Sequence, residues 1–290
     1  MGIEIQLQGV QPGQIATFTF QNPVQAFVLG MNEFLLSYGN GNSANYIEEL
    51  QIKVLPGQSM GNVVTALIEA QMHDGSGHTI DPASFVDVVC IAITDTADPQ
   101  TLLTNVSGIS NNATAPIDLP ASSGFRVVES FLSGFTLQYS SADHEVLHAD
   151  AGCGITYQQS NGSIWASAHL YDSSGNQINT ALIDAGAVVS ANPAGPGFFM
   201  QEVTVQGSTS VKFNSMKSIS VARAVLKSWR VQYGNGNHYV HTITAGTYVQ
   251  PTINDNIVTL PESRAGMTDG AGNNQDDSIS NVTLIVIAVP

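Results

Sequence analysis

The feature that most constrains this chain is an internal repeat. Phe34-Leu-Leu-Ser-Tyr-Gly-Asn-Gly-Asn42 recurs as Trp229-Arg-Val-Gln-Tyr-Gly-Asn-Gly-Asn237, and Phe135-Thr-Leu-Gln-Tyr139, followed by Asp143-His144, is a looser third copy. Before each tyrosine stands a short segment ending in glycine: Ile3 to Gly9, Leu102 to Gly108 and Glu202 to Gly207. After each comes an aspartate turn: Asp74-Gly-Ser-Gly77, Asp172-Ser-Ser-Gly-Asn176 and Asp269-Gly-Ala-Gly-Asn273. The outer copies then end in matching apolar segments, Val86 to Ile93 and Val282 to Val289, with Ala185 to Ala191 as a weaker middle version. A fixed period of this kind dictates the architecture. It divides the chain into units 1–97, 98–196 and 197–290, jointed at Asp98-Pro99 and at Asn192-Pro-Ala-Gly-Pro-Gly197, which is turn chemistry.

Within a unit the apolar residues alternate with period two, as at Ile3, Ile5 and Leu7, or at Phe135, Leu137 and Tyr139 with Thr136 and Gln138 facing away. No segment holds a helical stripe for three turns, and glycine and asparagine clusters punctuate the chain as antiparallel strands require. In the first unit the pattern predicts strands at Glu4 to Gln8, Ile15 to Phe20, Gln25 to Tyr38 with Gly30 as a candidate break, Tyr46 to Val54, Asn62 to His73, and Phe85 to Ile93. Six strands in so short a unit bury a core by folding sheet on sheet. The expected fold is all-β: three tandem antiparallel β-sandwich repeats of about six strands each. One continuous sandwich or barrel shared between units is the alternative.

The order of elements, from Ala16-Thr-Phe-Thr-Phe20 through Ile91-Ala92 in the first unit and from Val211-Lys-Phe213 through Ile287-Ala288 in the third, resembles the H-type lectin domain of snail and slime-mould agglutinins. The resemblance implies a six-stranded antiparallel sandwich that trimerises and binds N-acetylgalactosamine-type sugars. Three tandem units would then make in one chain the threefold assembly that the family makes from three. Cys90 and Val286 stand before the terminal Ile-Ala pairs where the family has tryptophan, so no sugar-binding residue is carried over by identity.

Composition narrows the function. Eight Lys plus Arg against 23 Asp plus Glu give a net charge of -15, which lacks the basic footprint of a nucleic-acid binder. An apolar content of 43% is enough for a core. No basic start and no apolar run of ~20 residues is present, so neither a signal peptide nor a membrane span is expected. No compartment is assigned; export by another route and a place in a virion both fit. Cys90 and Cys153 are too few for a disulfide framework and read as buried thiols. The charge divides unevenly, with -8 on the first unit, -7 on the second and 0 on the third. Lys212, Lys217, Arg223, Lys227 and Arg230 crowd into the third unit, either as a face that docks on acidic surface of the other units or of another copy, or as a solvated sheet face whose lysines guard an edge.

The tyrosine loops are the candidate ligand site: Tyr38, Asn40 and Asn42; Asp143 and His144; Tyr233, Asn235, Asn237 and His238. Amides and carboxylates match vicinal hydroxyls and an aromatic face stacks on C–H groups, although Asn-Gly is also common hairpin-turn chemistry. Asp74, Asp172 and Asp269, with Asp81, Asp184, Asp276 and Asp277 nearby, lack the dense acidic loop that calcium needs and read as turn formers. The histidines show no zinc-finger spacing. Trp165 is expected in a core. No elbow serine, P-loop or zincin motif occurs, and neither a cofactor nor a catalytic residue is assigned. These features predict a non-enzymatic, multivalent, lectin-like protein, either a homo-oligomer or a pseudo-trimeric chain, with glycan or copies of itself as partner. The alternatives are a structural subunit of a virion, tail, appendage or other self-assembling particle, and a toxin or host-cell-binding component.

Overall fold

A computed structural model describes residues 2–39, 44–121, 124–140, 143–158, 161–192, 197–234 and 236–290. The fold is all-β. Repeat 1 supplies β1 (Gly2–Val10), β2 (Ile15–Thr19), β3 (Val24–Ser37), β4 (Glu49–Met60), β5 (Val63–His73) and β6 (Phe85–Thr94). Repeat 2 supplies β7 (Thr101–Ser110), β8 (Thr114–Asp118), β9 (Val127–Gln138), β10 (His148–Gln158), β11 (Asn161–Tyr171) and β12 (Thr180–Ser190). Repeat 3 supplies β13 (Phe199–Val205), β14 (Gly207–Lys212), β15 (Val221–Gln232), β16 (Thr242–Thr247), a short β17 (Thr252–Asn254), β18 (Ile257–Thr268) and β19 (Asn281–Val289). The six strands expected in the first unit are present with ends displaced by a few residues. Near Gly30 β3 is not broken; it carries a bulge between Met31 and Glu33.

The three antiparallel sheets do not coincide with the three repeats. Each repeat divides into an inner half (β1-β6-β3, β7-β12-β9, β13-β19-β15) and an outer half (β2-β5-β4, β8-β11-β10, β14-β18-β16), and every sheet joins the inner half of one repeat to the outer half of another. The joints are β3 with β16, β9 with β4, and β15 with β10. Each is a seam of five residue pairs: Ser37 to Glu33 on Thr242 to Gly246, Gln138 to Gly134 on Glu49 to Lys53, and Gln232 to Ser228 on His148 to Gly152. The ring closes cyclically, and the seam between repeats 1 and 3 does so with no chain connection across it.

A bulge precedes each seam at the same place, between Met31 and Glu33, between Leu132 and Gly134, and between Leu226 and Ser228. A bulge bends and twists its strand, here turning the far half toward the neighbouring repeat. The last pair of every seam contains a glycine (Gly246, Gly134 or Gly152), because the backbones come too close for two side chains. A Cβ on Gly246 would lie 2.3 Å from the Asn32 carbonyl oxygen, and Gly246 has a φ of 138° besides.

Burial explains the two kinds of strand in the sequence. Inner halves are covered on both faces, so β6, β12 and β19 are almost continuously apolar, whereas outer halves face solvent on one side and β5 and β11 alternate strictly. One face of the inner halves forms a separate axial core that includes Val28, Val89, Phe131, Val188, Val225 and Ile285. The other face joins the main core, where Phe34, Phe135 and Trp229, the first residues of the repeated motif, meet with ring centroids 5.3 to 5.5 Å apart. Such tilted pairs contribute about 0.5–1.5 kcal/mol each beyond burial. Cys90 and Cys153 are buried and free. Among the described residues, no helix is long and apolar enough to cross a membrane.

Glu33, at the closing seam, is 4% exposed, and burial, with Asp87 and Glu262 adding to it and Arg264 opposing, pushes its pKa up to about 8. A carboxyl that ionises near 4.3 when unfolded but near 8 when folded costs stability progressively as pH rises between those values. Glu33→Gln should therefore match the parent near pH 4.5 and exceed it in melting temperature at pH 8 to 9. In the triad, Phe34→Ala and Phe135→Ala should each cost about 3–5 kcal/mol in urea unfolding. Trp229→Phe should stay within about 1 kcal/mol of the parent, because it also removes an indole N–H that has no partner among the described residues.

Candidate functional site

The described parts of the tyrosine loops gather at one end of the ring, where Asp143, His144, Asn237 and His238 are hydrogen-bonded to turn residues, two of them in the adjacent repeat. Tyr38, Tyr139 and Tyr233 are buried, and the last two pack against His144 and His238 at 4.3 Å between ring centroids. Three backbone bridges link the repeats around this end: Asn45 with Val240, Ile47 with His144, and Val146 with His238. The Asp143 carboxylate accepts the Gly75 N–H of repeat 1, and the Asn237 amide oxygen accepts the Ser173 N–H of repeat 2, each at 2.5 Å. Asn40, Asn42 and Asn235 lie outside the described residues.

The turn aspartates hold the loops in place. Asp74, Asp172 and Asp269 each accept two backbone N–H bonds from their own turn, and the second oxygen meets His78, His144 or His238. Burial raises their pKa values, and the hydrogen bonds outweigh it, so that all three end below the usual carboxylate range. Among the described residues no three His, Cys, Asp or Glu side chains converge as a metal site would require.

The basic residues of repeat 3 divide. Lys227 sits between Glu129 of repeat 2, at 3.4 Å, and Glu202 of its own repeat. Lys212 and Lys217 are exposed, and Arg223 is half-buried against the Ala222 carbonyl. Arg230 lies beside Asp150 across the seam and donates to Gln232 Oε1 at 3.1 Å.

Around Arg230 the outer face of the sheet β13-β19-β15-β10-β11-β8 opens into a groove of about 340 Å³. Its rows follow from the strand register: Asn281, Arg230, Asp150 and His169 across one level, Ser228, Gly152 and Ser167 across the next, then Gly154 and Trp165. The indole lies flat against Gly154, where a Cβ would stand 2.2 Å from its Cζ2. The backbone therefore backs one ring face, and Trp165 remains 39% exposed. This differs from the core position expected for Trp165. Its neighbours Ile164, Ala166, Ala168 and Leu170 take the inward positions of β11, and period two then puts 165 outside. That alternation was the available signal.

The polar wall of the groove is fixed by a chain of hydrogen bonds. Asp150 meets buried His148 Nε2 at 2.5 Å and His169 Nδ1 at 3.0 Å, and His148 Nδ1 faces the Gln232 oxygen to which Arg230 donates. Burial pushes the Asp150 carboxyl up, but the bonds from both histidines outweigh it and leave it lowered, hence ionised at neutral pH. His148 also stacks on Tyr171 with centroids 4.7 Å apart. All these groups sit on strands and are held before any ligand arrives.

The other two seams do not reproduce the groove. Where the repeat 2–3 seam has Gly154 and Trp165, that of repeats 1 and 2 has Leu55 paired with Leu67, with Lys53 and Glu69 in place of the floor residues Gly152 and Ser167. At the seam of repeats 1 and 3, Arg264, at the register position of Ser167, stands over Tyr248 at 4.8 Å from the ring centroid. Comparison with known proteins finds no matching family model and no matching curated protein.

Because the turn aspartates have lowered folded pKa values, their stabilisation is complete above the unfolded carboxyl range and is lost as pH falls through the folded values. Hydrogen exchange at the loop end should accelerate in that acid range ahead of the inner strands. Asp172→Ala, which orphans two turn N–H groups and frees His144, should cost about 1–3 kcal/mol in chemical denaturation at pH 7.

Proposed function

We propose that this chain binds carbohydrate and leaves it chemically unchanged, with the groove between repeats 2 and 3 as its site. The observation that carries the reading is the Trp165 indole, backed by Gly154 and open on its other face, beside a carboxylate, a guanidinium, an amide and two serine hydroxyls. An exposed ring face suits the C–H side of a pyranose, and planar Asp150, Arg230 and Asn281 groups suit its hydroxyls. Recognition rather than turnover fits a groove lined by one carboxylate, itself bonded to two imidazoles. A pre-formed wall lowers the ordering cost of binding. The loop end, where Asp143 and Asn237 bond turn residues of the adjacent repeats, contributes architecture in this reading, and one such groove among the described residues replaces the multivalence that three repeats suggest.

A second reading, an assembly subunit, is favoured by Lys212 and Lys217 standing exposed at the end of the ring opposite the acidic loops. Light scattering across concentration and salt separates it, since growth beyond one chain at low salt would support assembly. For the carbohydrate reading, a glycan array followed by calorimetry should find a ligand that binds one per chain. Trp165→Ala should weaken it at least ten-fold, about 1.4 kcal/mol. Silence across the array at high protein concentration would sink the reading.

A further inference from the structure

We propose that the ligand is an extended neutral oligosaccharide, which runs along β11 from the Trp165 groove, over His169, into a second cavity that holds its next residues. This rests on the carbohydrate reading of the groove and names the ligand class.

The second cavity exists because the edge partner of β11 is short. β8 pairs with β11 from Asn161 to Trp165 only. Past that point the Asn111 amide oxygen caps the Ala168 N–H, and the strand edge then faces the segment that leads into β12, whose Ile178 N–H donates to the Leu170 carbonyl and whose Gln177 bridges Tyr171. Between them lies a cavity of about 370 Å³ whose polar lining includes Ser110, Asn111, His169, Tyr171, Gln177 and Asn179. Each cavity is near the lower end of the ~300–1,000 Å³ typical of ligand sites, so each suits a small unit, and the two lie side by side.

His169 joins them. Its Nδ1 is held at 3.0 Å by Asp150, which lines the groove, while its ring lines the second cavity and its side chain is 44% exposed. From Trp165 to Tyr171 the strand covers about 20 Å at ~3.3 Å per residue, longer than one sugar ring. Amides, hydroxyls, one tyrosine and the His169 imidazole give the second cavity its polar lining, and among the described residues no Lys, Arg, Asp or Glu joins them. A neutral sugar can satisfy such a lining, whereas an anionic residue there would meet only His169, whose imidazole is already bonded to the Asp150 carboxylate. Linking two weakly held units in one chain makes the second contact intramolecular, so affinity rises with length until both cavities are filled.

The test is calorimetry of the full chain with linear neutral oligosaccharides of one to five residues, in the maltose, cellulose and chitin series. In the series that binds, affinity should rise at least ten-fold between one residue and three or four, then level off. Gln177→Ala combined with Asn179→Ala, both exposed side chains, should lower the longer ligands toward the affinity of the single sugar. The same variant should leave the single sugar's affinity unchanged, which also reports an intact fold. Equal affinity at every length, or a length dependence untouched by the double variant, overturns the extended site while the groove reading stands. No binding by any member, together with a silent glycan array, overturns both.

Discussion

Strand pairing between repeats is the interaction on which the rest of this structure depends. An inner half-sheet would leave the seam edge of one strand unpaired if its repeat stood alone, and so would an outer half. Pairing each inner half with another repeat's outer half satisfies those groups and closes the sheets into a ring. The bulge before each seam aims the strand, and the glycine at its last pair lets the backbones meet. Because inner halves are thereby covered on both faces, the axial core and the Phe34, Phe135 and Trp229 cluster exist only when all three repeats are in place. A repeat is a unit of sequence here; the unit of packing is the ring.

Covalent linkage then removes a constraint that separate identical chains would impose. Three identical subunits must present three identical seams. In one chain each seam is free to differ, and these do: one carries a buried acid with Arg264 over Tyr248, one an aliphatic pair with Lys53 and Glu69, and one the glycine-floored groove. The charge asymmetry between repeats belongs to the same divergence. Lys227 lies between an acid of repeat 2 and one of repeat 3, and Arg230 belongs to the wall of the groove, so those two cations work at the seam between those repeats.

The loop end illustrates how residue chemistry alone leaves two roles open. Tyrosine, histidine, aspartate and asparagine at a repeated loop suit a polar ligand and suit an interlocking turn equally well, because both need planar groups that donate and accept. Asp143, Asn237, His144 and His238 meet turn residues, two of them in the adjacent repeat, through ordinary hydrogen bonds. Trp165 is the converse case. A single tryptophan in an apolar-looking segment reads as core, yet the parity of β11 puts it outside, and Gly154, across the hairpin, gives it a flat support.

The sequence by itself determined the all-β class, the threefold repetition, the positions of the strands and even which were to be covered on both faces, since continuous apolar runs at Val86 to Ile93 and Val282 to Val289 differ from the alternation in β5 and β11. Those properties are carried by side chains near one another in the chain. The choice of partner strand was left to tertiary structure, because backbone pairing uses the same N–H and C=O groups in every strand and leaves little trace in residue type beyond a bulge and a glycine. That choice brought Asp150 and Trp165 of repeat 2 against Arg230 and Asn281 of repeat 3, residues up to 131 positions apart in the chain. A groove built across a seam becomes visible only once the seam is known.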